Sequence, residues 1–279
     1  MQTNPSKKKN KEFFWHVLLL ALVVITFYPL LFMFFASLKT NNELFRSGLN
    51  IFPTSPTFQN FLLVFTKQPV LQFIGNSLVI ALIVTFAKLI TSILTSYALV
   101  FMNVKYKEAI FYIFTITMFV PFSVIMIPNY LTINKFLLMD SLLGVALPQL
   151  ADAMGIFRIR QAMRQIPKSL VEAARIDKVN HFTAMVRIVI PLVRSSIVAM
   201  GIIFFINSWN EFIWPMLILK SREKSTITIA LQYFLNSEGG SAWGSSMALA
   251  TIATLVPLFL YLISQRQIIS TFLQSGLKE

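Results

Sequence analysis

The chain has 279 residues, of which 56% are hydrophobic and only 13% charged. Soluble domains carry roughly 25% charged residues, so this is an integral membrane protein. Its net charge of +13 does not mark a nucleic-acid binder, because the basic residues flank apolar runs, where Lys and Arg resist translocation. With no cysteine, disulfides and thiolate metal sites are excluded.

Taken in order, Lys7, Lys8, Lys9 and Lys11 precede a first apolar run at about 17–36, read as an uncleaved span because only a weak cleavage pattern follows. An external segment, 37–76, contains Pro53, Pro56 and Pro69. It also holds Phe58, Phe61, Leu62 and Phe65, whose spacing suits an interfacial helix with one buried face. A second span at about 78–102 leads through Lys105 and Lys107 to a third at 109–128. The fourth, at 138–157, has the weakest hydropathy because it holds Asp140, Gln149 and Asp152. A basic loop over 158–194 separates it from the fifth, at 197–219. An external polar segment then runs through Trp243 to the sixth, at 247–264, and the chain ends in a short polar tail.

The expected fold is all-α: a polytopic membrane protein with six transmembrane helices, forming a single transmembrane domain over 1–279 with both termini cytoplasmic. Sixteen Lys and Arg fall in the proposed inside segments and seven outside, with Lys88 inside a span, as the positive-inside rule requires. Pro29, Pro121, Pro128, Pro148, Pro215 and Pro257 lie in or at the edges of spans, where each removes a backbone hydrogen bond. Such bends are ordinary in membrane helices. They also suit helices that rock around a central cavity.

The loop over 158–194 carries eight basic residues, Arg158, Arg160, Arg164, Lys168, Arg175, Lys178, Arg187 and Arg194, against Glu172 and Asp177. Pro167 suits a first helical turn, and Lys168 to Ile176 holds strong helix formers. Asn180 is placed to cap a second helix, in which Phe182, Met185, Val186 and Val189 recur at helical spacing. Pro191 then turns the chain toward the fifth span. Two short helices lying across the inner face are expected, with His181 as a solvated helix residue.

The run Glu172-Ala173-Ala174-Arg175-Ile176-Asp177, followed by Ile190-Pro191-Leu192, resembles the cytoplasmic EAA loop of ABC importer permeases. The likeness is to the carbohydrate-uptake, maltose-permease-like family. Pro56 to Phe61, Gly75 to Ser77 and Asn210 to Phe212 are similar to other stretches of it. The resemblance implies that this loop is a coupling helix docking on a separate ATPase, through Glu172, Ala173, Ala174, Arg175 and Asp177, with Pro191 matching as well. It further implies a second homologous permease subunit, two ATPase subunits that use ATP and Mg, and an extracytoplasmic sugar-binding protein. The chain itself would bind no cofactor and would sit among lipid in a bacterial cytoplasmic (inner) membrane, passing a sugar. One position departs: Lys178 stands where the family has Gly. A Gly there would end the helix in a left-handed conformation, which costs another residue roughly 1–2 kcal/mol, so the turn is either strained or differently shaped. The alternative for the same loop is a basic amphipathic segment lying on anionic lipid.

Charges inside a bilayer usually face a cavity or a partner. Lys88 lies mid-span, about 15 Å from either surface at 1.5 Å per residue. A Lys88–Asp152 or Lys88–Glu211 pair is expected, and the spacing of Gln149 and Asp152 would place both on one helix face. Asn207, Trp209, Asn210 and Glu211 form the most site-like stretch, together with Gln149 and Asp152. Trp209 and Trp214 could stack on a sugar ring while Asn207, Asn210 and Glu211 hydrogen-bond its hydroxyls. The competing roles are an interfacial aromatic belt and polar glue between helices. No Gly-Lys pair exists for a phosphate-binding loop. His16 and His181 fit no metal pattern, and no nucleophile–base constellation is present. The energy for transport must therefore come from a partner. The rival reading is an ion- or proton-coupled carrier with Lys88, Asp152 and Glu211 as its relay.

Overall fold

The structure, a computed structural model, describes residues 5–46, 48, 50–235 and 242–276. All regular structure among them is helical. Residues 236–241 of the expected external segment and the basic Lys278 lie outside the described residues. The chain divides into two compact units, Met1–Pro69 with Leu231–Thr254, and Val70–Ala230 with Leu255–Glu279.

The first unit begins with α1 (Pro5–Ser37), whose apolar part, Glu12–Ser37, buries side chains within the chain only at its end, at Ala36 and Ser37. Two short helices follow, α2 (Asn41–Arg46) and α3 (Gln59–Lys67). Polar hydrogen bonds fasten α3 beside the fully buried Val64. The Asn60 amide donates to the Ser37 carbonyl at 2.8 Å and the Lys39 carbonyl at 2.7 Å, satisfying two carbonyls at the end of α1. Asn60 and Val64 face inward, whereas Phe58, Leu62 and Phe65 point out. The expected interfacial helix therefore turns its aromatic side away from the chain. Gly244 allows a close approach here, since a Cβ would lie 2.6 Å from the Asn60 oxygen.

The second unit is built on α4 (Val70–Phe101), against which α8 (Ala153–Arg164) and α12 (Arg194–Asn210) pack. Small residues bring these helices together. A Cβ at Gly155 would stand 2.4 Å from the Phe204 ring and 2.6 Å from the Ser92 hydroxyl. Ser96 donates across the interface to the Ile156 carbonyl at 3.0 Å. Below this contact lies an apolar core that includes Tyr97, Ile159, Met163, Val171, Met185, Val189, Met200 and Phe204.

Between these helices run α5 (Lys107–Thr117), α6 (Phe122–Lys135) and α7 (Leu142–Ala146) before α8, then α9 (Lys168–Ile176), α10 (His181–Ala184) and α11 (Ile190–Leu192) before α12. The remainder are α13 (Ile213–Ile218), α14 (Ile227–Leu235) and α15 (Trp243–Gly276). Among the described residues, three helices are long and apolar enough to cross a membrane alone, Glu12–Ser37, Val70–Phe101 and Trp243–Arg266. Six spans result if each of three bent helix pairs is counted as one.

Two of those bends break the third and fourth spans expected from hydropathy as continuous, while the bend after Pro191 falls before the expected fifth span, where the chain was expected to turn. α5 and α6 meet at 95° across Pro121, and Leu142–Gln149 meets Ala153–Arg164 at 48° after Pro148. His181–Leu192 meets Arg194–Asn210 at 83° after Pro191. Each break follows or contains a proline, which cannot donate to the helical ladder. The fifth helix stops at Asn210, short of the expected 219, because Glu211 takes an extended conformation (φ −63°, ψ 131°). The basic loop also starts later than 158. α8 carries Arg158 and Arg160 and runs on to Arg164. It continues because Arg160 is buried against Phe111 and neutralised by Glu108, both Glu108 oxygens lying 2.8 Å from one Arg160 nitrogen.

Candidate functional site

The first candidate surface is the loop after α8. Pro167 occupies the capping position just before Lys168, and the helix ends at Asp177. Lys178 then adopts φ 58°. Its N–H donates to the Arg175 carbonyl at 3.0 Å, and the Val179 N–H donates to the Ala174 carbonyl at 2.9 Å. This pair of bonds is a Schellman termination, which favours Gly at the left-handed position. The departure at 178 therefore leaves the turn's shape intact and places a lysine in a conformation that glycine adopts at lower cost.

Within α9, Val171 and Ala174 are buried and Val171 joins the core. Glu172, Ala173, Arg175, Ile176 and Asp177 are exposed, Ile176 by 83%. Ala174 thus belongs to the buried side rather than to the accessible edge. Asn180 caps α10 by accepting from the Thr183 N–H at 2.7 Å. Met185 and Val189 turn inward, while Phe182 and Val186 remain exposed. His181 is half-buried and hydrogen-bonded through Nδ1 to the Tyr97 hydroxyl at 3.2 Å. That corrects its reading as a solvated residue and ties the loop to the end of α4.

The second candidate surface lies at mid-chain. Lys88 pairs with Asp152 at 3.2 Å, and the Lys88 ammonium also lies 5.3 Å from the centre of the Phe204 ring. The other Asp152 oxygen accepts from the Gly155 N–H at 2.8 Å, capping α8. Glu211 is not part of this pair; its side chain accepts from the Trp214 N–H at 3.4 Å. Gln149 and Asp152 do not share a helix face, because the 48° break falls between them. Gln149 instead donates back to the Val145 carbonyl at 3.1 Å.

Asn207, Asn210 and Glu211 border an open cleft of about 600 Å³, together with Phe212 and Ile213. The indoles are not available beside them. Trp209 is 2% exposed and stacks on Phe205 with centroids 6.0 Å apart. Trp214 is fully buried, edge-on to Phe122, and donates from its ring nitrogen to the Val145 carbonyl at 3.0 Å. Both serve packing, which corrects their reading as sugar-stacking surfaces. The remaining surface offers amides and one carboxylate that can hydrogen-bond hydroxyl groups.

Sequence reading missed Asp140, taking it only as a weakness in the fourth span. At φ 52° it sits in the turn before α7, outside the bent pair. It accepts from the Lys220 and Ser221 N–H groups, both at 2.9 Å, from the Ser221 hydroxyl, and from Lys224 at 3.2 Å. Burial opposes ionisation, but the Ser221, Lys220 and Lys224 donors outweigh it and hold the carboxyl well below the usual range. An acidic residue in a turn between apolar runs was the only available signal. Among the described residues, no group of His, Asp and Glu could hold a metal ion.

A transport protein with bent helices and a structured polar loop is what these features define. Residues 88–272 match the family of binding-protein-dependent transport system inner membrane components, and the chain belongs to that family. It is therefore a permease component of the inner membrane and not an enzyme. The chain is 30% identical over 259 residues to the sn-glycerol-3-phosphate transport system permease protein UgpE of Agrobacterium fabrum, covering 90% of this chain and 92% of the relative. It is 32% identical over 260 residues to the arabinooligosaccharides transport system permease protein AraQ of Bacillus subtilis, covering 92% of each. In fold it is similar to a bacterial ABC transporter involved in the import of the acidic polysaccharide alginate, with TM-score 0.85 and 19% identity over 95% of this chain and 99% of that one. The ion- or proton-coupled carrier is set aside by the family. The geometry agrees, since Asp152 is already committed to Lys88 and a helix cap.

Proposed function

We propose that this chain is the permease subunit of an ATP-driven bacterial importer for a sugar or a related polyhydroxy compound. It lines half of the translocation path with Asn207, Asn210 and Glu211. The exposed edge of α9, with Glu172, Ala173, Arg175 and Asp177, docks on a separate ATPase. A second homologous permease, two ATPase subunits that use ATP and Mg, and an extracytoplasmic substrate-binding protein complete the machine, with both termini of this chain in the cytoplasm. The observation that carries the reading is the fastening of α9. One side is locked into the core through Val171, the helix end is closed by a Schellman turn, and the neighbouring His181 is bonded to α4. A push on the exposed edge is thereby passed to α4 and α12 instead of being absorbed by a loose loop. Relatives whose names specify sn-glycerol-3-phosphate and arabinooligosaccharides support a polyhydroxy substrate.

Reconstituted complexes carrying Glu172→Lys test this. ATPase retention and substrate uptake should both be lost while the permease still inserts into the membrane. Uptake at the wild-type rate overturns the coupling assignment.

A further inference from the structure

A separate cavity of about 250 Å³ lies where the start of α5, the end of α8 and the start of α9 meet. Its polar wall is Lys107, Glu108, Arg160, Arg164 and Lys168, and Leu99, Val100 and Ile166 form its apolar floor. Four cations thus face one carboxylate. Arg160 is 2% exposed, and its Nη2 serves both oxygens of Glu108. Its Nε and Nη1 are buried and have no hydrogen-bond partner. Buried donors left unpaired are rare and costly. Glu108 cannot neutralise the cluster, since its side chain is 57% exposed and one charge short of even a second cation.

We propose that this cavity is a phosphate-oxyanion site, filled by the headgroup phosphate of an anionic phospholipid or by a free phosphate. Planar guanidinium groups and ammonium groups converging on one cavity are the chemistry that recognises phosphate. A neighbouring cavity of about 190 Å³ shares Val100, Lys107 and Lys168 and adds Arg175 beside Glu172, so the excess of cations is concentrated in the first cavity. The volume holds several water-sized groups at about 30 Å³ each, which suits a phosphate ester. A lipid source is favoured by α5, which starts at the cavity and exposes Tyr112, Ile113 and Ile116, each by more than 60%, along its length. An acyl chain laid on that face would leave its headgroup at the basic end, where pockets between membrane helices take acidic headgroups.

The test uses the purified full-length chain and native mass spectrometry, titrated with phosphatidylglycerol, with phosphatidylcholine and with inorganic phosphate. Arg164→Gln/Lys168→Gln removes two exposed cations without touching the Arg160–Glu108 pair. Arg187→Gln/Arg194→Gln removes the same charge elsewhere. Phosphatidylglycerol binding should weaken about tenfold or more in the first variant and stay unchanged in the second. Phosphatidylcholine should bind all three forms alike. If only inorganic phosphate shows the dependence on Arg164 and Lys168, the occupant is a soluble phosphate. If neither anion distinguishes the first variant from wild type, or the control loses as much, the site does not exist.

Discussion

Asp152 holds Lys88 with one oxygen, at 3.2 Å, and the first turn of α8 with the other, through the Gly155 N–H at 2.8 Å. One side chain thus closes the break in the fourth segment and neutralises the cation of α4. Asp152→Asn should keep the cap, since Asn is as good a capping residue, and lose only the charge. Asp152→Ala should lose both, costing about 1 kcal/mol more for the cap alone. Thermal unfolding of the purified chain should rank wild type above Asp152→Asn and Asp152→Ala lowest. A Lys88→Met/Asp152→Asn double variant should recover part of the loss, because no charge is then left unpaired. Equal stability of all four forms would remove the structural role.

The turn at 178 gives a second expectation. Lys178 pays for a left-handed conformation that costs a non-glycine residue about 1–2 kcal/mol, so Lys178→Gly should raise the melting temperature of the chain. Lys178→Val should lower it, since a β-branched residue is worse still at positive φ. A drop on glycine substitution would mean that the lysine side chain makes a stabilising contact outweighing the backbone cost.

The cleft residues and the buried indoles should fail in different ways. Asn210→Ala and Glu211→Ala border open space, so each should impair uptake more than assembly. Losing one hydrogen-bonding partner of about 1–3 kcal/mol lowers apparent affinity roughly five- to 150-fold. Trp209→Ala and Trp214→Ala empty a packed interior and should cost about 3–5 kcal/mol of stability, reducing the yield of folded protein before transport is measured. Normal uptake by both cleft variants would take Asn210 and Glu211 off the path.

Asp140 predicts a pH dependence. Its carboxyl titrates below the usual value in the folded chain, so its stabilisation is present above about pH 4, the ordinary range of an unfolded Asp. That stabilisation is lost as pH falls toward the depressed folded value. Asp140→Ala should melt below wild type at neutral pH, with the two curves converging in acid. A constant gap across that range would show that the Asp140 bonds to Ser221 and Lys224 do not depend on its charge.

Much of this protein is written in local sequence. The apolar runs set the all-α membrane class because backbone groups in lipid must pair within a helix. Pro167, Asn180 and Asp177 mark the ends of the loop helices through bonds spanning only a few residues. The resemblance marked 178 as a glycine position but left open whether Lys178 would be strained or would reshape the turn, and the fold settles on a left-handed lysine. What sequence could not decide was direction and distance. The period of α12 places Trp209 and Asn210 side by side in the chain, yet only packing against Phe205 turns the indole in and leaves the amide facing the cleft. Lys88 had two possible partners, Asp152 and Glu211, and the 48° break after Pro148 chose between them by aiming Asp152 at α4. Arg160 reads as one more loop cation, but Glu108 and Phe111, some fifty residues earlier, draw it into the interior. Hydropathy and capping act over a turn or two of helix, whereas the partners that bury, orient or neutralise a side chain arrive from distant parts of the chain, so only the assembled helices fix them.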